Sequence, residues 1–177
     1  MGMISLIVFD VNSGDIRKKV FSLGQFSFFT RGKVKETVTF ISHELAKRLE
    51  TYKFQEYVHK FNEESYKLFT MVQGDQAYVA CSNFEYPGAV ALKFLEEAKN
   101  GNIEKLIEEY QDPTSKHILH QVQKEVEETR GVLSKTLIAV LERDDKIEDL
   151  VAKSEHLRYE TKMFFNSAKS KNRCCGS

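Results

Sequence analysis

A chain of 177 residues has room for one ordinary domain and an extended element, and its 41% hydrophobic content supplies a core for part of it. The 26 basic and 26 acidic residues cancel to a formal net charge of zero, so no whole-chain field recruits nucleic acid. No run of about 20 apolar residues occurs, and no stretch of the sequence reads as a membrane-spanning helix.

In chain order, Met3 to Phe9 reads as a buried strand, and the turn Asn12-Ser13-Gly14-Asp15 leads into a second strand, Ile16 to Leu23. Gln25 to Phe29 is an aromatic connection, and Gly32 releases the chain into a helix from about Lys33 to Glu50. Val34, Val38, Ile41, Leu45 and Leu49 form the stripe that faces the sheet. Phe40 lies more than about 100° from that stripe, so it is either partly exposed or covered by another part of the chain. Three further strands come next, Phe54 to Phe61, Ser65 to Val72 and Gln76 to Asn83, separated by polar turns as in a meander. Pro87 opens a helix whose buried face carries Val90, Ala91, Phe94, Leu95 and Ala98, and a shorter helix spans Ile103 to Tyr110. Gln111-Asp112-Pro113 closes this part. The order ββαβββαα predicts a compact α+β domain over residues 1–111, large enough to fold alone.

Residues 112–171 differ in kind. Leu119, Val122, Val126, Thr129, Leu133, Thr136 and Val140 recur in steps of three and four, as do Ile147, Leu150, Ser154, Leu157, Thr161, Phe164 and Ala168. This is the a/d seam of a coiled coil, and Arg143 sits in its centre without breaking phase. An unpaired guanidinium in an apolar interface costs several kcal/mol unless acceptors meet it, so Arg143 reads as a device for register and partner choice. The positions between are crowded with charge, leaving one narrow face to bury. One such stripe cannot offset the entropy of ordering a lone helix, so the segment is expected to fold against partner helices or back onto the domain. As one helix it would form a rod of about 80–90 Å.

Nothing in the residue pattern suggests chemistry on a substrate. His43, His59, His117, His120 and His156 are scattered; His117 and His120 share a helix face without further ligands nearby. No catalytic residue, metal site or cofactor is expected. Cys81, in an apolar stretch, reads as a small core residue, whereas Cys174 and Cys175 are adjacent on a tail with no setting for a disulfide.

Val122 to Thr129, together with Leu141-Glu142-Arg143-Asp144-Asp145-Lys146-Ile147-Glu148-Asp149-Leu150, resembles the R-SNARE motif. The ββαβββαα order resembles the longin domain that precedes that motif in some such proteins. Phe26-Ser27-Phe28-Phe29, Glu85-Tyr86-Pro87, Val151-Ala152-Lys153-Ser154-Glu155 and the twin cysteines are similar to those of lipid-anchored longin R-SNAREs of the synaptobrevin-homologue YKT type. The resemblance implies a five-stranded antiparallel sheet with helices on both faces, then a coiled-coil SNARE helix. It further implies that Arg143 forms the central ionic layer with three glutamines of partner SNARE helices, that zippering of the seam layers drives vesicle-membrane fusion, and that a disassembly machinery recycles the bundle. Location would be cytoplasmic and peripheral on endoplasmic reticulum, Golgi, endosomal or vacuolar membranes.

The tail, residues 172–177, departs from the family's pattern, since Cys174-Cys175-Gly176-Ser177 lacks the aliphatic residues of a prenylation box. A truncated or altered ending, prenylation at a double-cysteine end and acylation of both cysteines are the competing readings. Dual lipidation of Cys174 and Cys175 is the expectation for the natural protein, because stable anchoring takes two membrane signals. Phe26, Phe28, Phe29 and Phe40 are expected to line a groove on the domain that receives the SNARE segment, and with it the lipid, in a closed state. The alternative is a longin-type trafficking adaptor whose coiled-coil tail associates with itself.

Overall fold

The computed structural model describes residues 2–49, 53–61, 64–115, 118, 122, 126, 129–132, 134–141, 146–163 and 165, the side chains of Thr136 and Ile138 excepted. Strand β1 (Met3–Asp10) is apolar on both faces because it runs through the middle of the sheet with helices above and below. Leu6 and Val8 enter one core, Ile7 and Phe9 the other. A register shift against its neighbour between Met3 and Ser5 puts Met3 on the face of Leu6, against simple alternation.

The other strands are β2 (Ile16–Phe21), β3 (Gln55–Phe61), β4 (Glu64–Gln73) and β5 (Gln76–Asn83). They pair in the order β2-β1-β5-β4-β3, antiparallel throughout, as expected for this α+β fold. Gly14 and Gly74, with φ of 75° and 61°, supply the left-handed conformations that the two tight turns require. Arg17 ties those turns together, pairing with Asp10 and, at 2.7 Å, with Asp75.

Helices α2 (Gly88–Ala98) and α3 (Ile103–Glu109) cover one face of the sheet, and α1 (Phe28–Ala46) covers the other. Asn102 caps α3 by accepting from the Lys105 N–H at 3.1 Å. The buried Tyr86 hydroxyl donates to the Tyr110 carbonyl at 2.8 Å, and the Gln111 amide donates to the Met3 carbonyl at 2.7 Å, so the end of α3 is bolted to β1.

Helix α1 begins five residues before the expected Lys33 and ends at Ala46 rather than Glu50. Ser27 is the cap residue, and its carbonyl accepts from Thr30 at 3.0 Å and Arg31 at 3.2 Å. Gly32 therefore lies inside the helix, where it costs about 1 kcal/mol relative to alanine. A Cβ there would stand 3.1 Å from the tip of the Arg158 side chain, a tight contact that this flexible group can relieve by a small shift.

Beyond residue 112 the chain folds back as separate pieces. Strand β6 (Lys135–Thr136) lies parallel to β3, with Lys135 opposite Tyr57 and Thr136 opposite Val58, and adds a sixth strand to the sheet. Two short helices come after it, α4 (Leu137–Leu141) and α5 (Ile147–Lys153), and residues 159–163 are again helical. Lys146 and Ser154, with ψ of 145° and 120°, are extended and bound α5 on either side. In this state the segment is not one rod, because packing on the domain replaces the partner helices that a continuous helix would need.

Candidate functional site

The folded-back segment crosses from one face of the sheet to the other around the edge strand β3. Ile118 and Val122 are buried in the core under α2 and α3, with Val132 packed against it. The Ser134 hydroxyl then donates to the Glu56 carboxylate, which also pairs with Lys67 at 3.2 Å. Past β6, Leu137, Val140 and Leu141 enter the opposite core beside Ile41, Leu45 and Tyr57, at a gain of about 1.5–3 kcal/mol for each large side chain buried. Ile147 and Leu150 pack against the same core, and Val151 and Leu157 are buried.

A polar clasp closes the far end. Glu36 of α1 pairs with the Arg158 guanidinium, accepts from the Arg158 backbone N–H at 3.3 Å, and accepts from the Thr161 hydroxyl at 2.6 Å. Burial raises the Glu36 carboxyl, but the Thr161 hydroxyl and both Arg158 donors outweigh it and hold the group below its ordinary value. The ring of Phe165 stands edge-on to Phe40, with centroids 6.0 Å apart, and to Phe61 at 5.5 Å. Phe40, off the stripe of α1, is thus met by Phe165.

Of the seam residues, Val122, Val140, Leu157 and Thr161 are buried against the domain, and Ile147 and Leu150 are packed on it. Thr129 and Ser154 are half-buried, Val126 is exposed, and Thr136 contributes backbone to β6. Arg143, Leu119, Leu133, Phe164, Ala168, Cys174 and Cys175 lie outside the described residues. The expectation that only one narrow face is buried needs correction: Ile118, Leu137, Leu141 and Val151, all off the seam, are buried too. Leu137, Val140 and Leu141 form an i, i+3, i+4 triad, a legible signal for a second stripe that the heptad reading passes over.

The four aromatic residues expected in one groove divide. Phe26 and Phe40 pack against the core under α1, whereas Phe28 and Phe29 stand in solvent at the start of that helix. Between α1 and the sheet lies a cavity of about 50 Å³, walled by Phe26, Val34, Val38 and Ile41, with His59 and Cys81 at its lining. Burial pushes the Cys81 thiol up to about 12, which leaves it an unreactive core side chain. Burial also holds the His59 imidazole down at about 4, and among the described residues neither of its ring nitrogens has a hydrogen-bond partner. No described helix is long and apolar enough to cross a membrane.

Residues 118–175 match the synaptobrevin family model. Over 86% of each chain the protein is 34% identical to the synaptobrevin homolog YKT6 of Debaryomyces hansenii. It is 29% identical to the ykt6 synaptobrevin homolog of Schizosaccharomyces pombe over 97% of this chain and 96% of that one. The putative synaptobrevin homolog YKT6 of Dictyostelium discoideum is 30% identical over 89% of this chain and 88% of its own. These matches run through the sheet domain as well as the seam, and with the five-stranded fold they lead to one conclusion: the chain belongs to the YKT6 type of synaptobrevin homologue, the R-SNAREs of vesicle traffic.

Proposed function

We propose that residues 112–171 zipper with three glutamine-bearing SNARE helices around Arg143 to drive vesicle-membrane fusion, and that the domain of residues 1–111 holds the segment closed until partners compete for it. One observation carries this reading. Val122, Val140, Leu157 and Thr161, which a four-helix bundle would bury in its layers, are buried against the chain's own domain. The same side chains cannot fill both sites, so folding back and zippering exclude one another. In the bundle, glutamine oxygens would satisfy the Arg143 guanidinium. Lipids on Cys174 and Cys175 would hold the seam's far end at a membrane, and a disassembly machinery would return the chain to its closed form.

Hydrogen exchange on the intact chain tests the closed state. Phe40→Glu places a carboxylate against Phe165, and protection of residues 146–165 is expected to fall by tenfold or more while β1 and β5 keep theirs; equal protection in both chains refutes the closure. Mixing with glutamine-bearing SNARE helices tests the zippering. A helical assembly that forms only on mixing, and that Arg143→Gln weakens or shifts out of register while the sheet domain stays intact, is the expected result. A 113–173 peptide that forms a stable, concentration-dependent helix by itself would point instead to an adaptor with a self-associating tail.

A further inference from the structure

Among the described residues, two aromatic side chains stand outside the packing of the closed state. Phe28 and Phe29, at the first turn of α1, are 79% and 88% exposed, and their rings meet edge to face with centroids 5.8 Å apart. The turn that presents them is built: the Ser27 and Thr30 hydroxyls lie 3.0 Å apart, and Arg31 Nε donates to the Phe26 carbonyl at 3.1 Å. Adjacent, exposed rings on a hydrogen-bonded turn carry a standing cost in water that no other ring among the described residues relieves.

The charge next to them in the sequence has one sign. From Gly24 to Lys35 the sequence holds Arg31, Lys33 and Lys35 and no acidic residue. The next residue, Glu36, has its carboxylate engaged by Arg158 and Thr161. Aromatic rings flanked by basic side chains suit the boundary between headgroups and acyl chains, where rings leave water while cations stay beside anionic headgroups.

We propose that Phe28 and Phe29, backed by Arg31, Lys33 and Lys35, form a foot by which the sheet domain inserts into the headgroup layer of an anionic bilayer. This contact is separate from the tail and from zippering. It is also compatible with the tail in reach: Phe165 sits on Phe40, about 18 Å along α1 from Phe28, and the chain from Phe165 to Cys174 can extend about 30 Å. A foot at one end of α1 and a lipid at the tail would fix the orientation of the domain on the membrane, where a tail alone leaves it to tumble.

The sequence contains no tryptophan, so Phe29→Trp gives a single fluorescent reporter in the unlipidated full-length chain. Vesicles of phosphatidylcholine with 30% phosphatidylserine are expected to shift its emission to the blue, and brominated acyl chains to quench it. Phe84→Trp, at the exposed aromatic beneath Lys67, should do neither. In co-sedimentation, Phe28→Ser with Phe29→Ser lowers vesicle binding at least tenfold, and Lys35→Gln about fivefold. All four side chains are solvent-facing, and unchanged circular dichroism will separate lost binding from lost folding. No blue shift at Phe29→Trp, an equal shift at Phe84→Trp, or undiminished vesicle binding by the double serine chain overturns the proposal, including the case where the pair engages a protein instead.

Discussion

His59 is the residue whose chemistry agrees least with its surroundings. It faces an apolar cavity from β3, and burial alone depresses its imidazole to about 4 from an ordinary 6.5. The unfolded chain takes up a proton near pH 6.5, whereas the folded chain stays neutral there until about pH 4. Stability from this group is therefore complete above pH 6.5, declines as pH falls through the window, and levels off below it, a loss of about 3 kcal/mol in all. His43, half-buried and also depressed by burial and by the neighbouring Lys47, adds to the decline in the same direction. Denaturant melts of the whole chain between pH 7 and pH 4 are expected to show this loss, and His59→Leu to flatten the slope by about one proton. An unaltered slope in His59→Leu would mean the imidazole is protonated or hydrogen-bonded in the folded chain.

At the scale of elements, β6 is the smallest piece of the closed state and the one that settles what covers the sheet edge. Without it β3 would present an unpaired row of backbone groups, a template for pairing with other chains. Lys135→Pro fixes φ at that position and restricts the residue before it, which disturbs the two-residue pairing. We expect β3 amides facing β6 to exchange about fivefold faster, as for one backbone hydrogen bond of net about 1 kcal/mol, with β1 and β5 unaffected. The strands, their turns and the two later helices were legible in the sequence because each obeys local rules: alternation, Gly14 and Gly74 in the turns, Pro87 at a helix start. The start of α1 was not, because Gly32 reads locally as a breaker, whereas the helix starts after Ser27 and runs through it. The same limit applies to the seam. Heptads were legible, but Leu137 and Leu141 take part in a second apolar pattern laid over the first, and only the tertiary partner decides which of the two is used.

For the whole molecule, that overlap separates the two states experimentally. Val140 belongs to the seam and is buried in the closed state; Leu141, next to it, is off the seam yet fully buried beneath α1. Leu141→Ala should thus cost the closed state about 2–5 kcal/mol and leave a four-helix bundle untouched. Since each 1.4 kcal/mol is a factor of ten, the open fraction rises by about 30-fold or more, until the open form predominates. A partner that binds only the open form gains apparent affinity by the same factor. Val140→Ala loosens both states, so its gain in affinity is smaller and its assembled bundle melts at a lower temperature. Association of labelled glutamine-bearing SNARE helices with the full-length chains measures both effects. Leu141→Ala is expected to associate at least tenfold faster than the parent, with an unchanged bundle melting temperature; parental kinetics in Leu141→Ala would mean that release from the domain does not limit assembly.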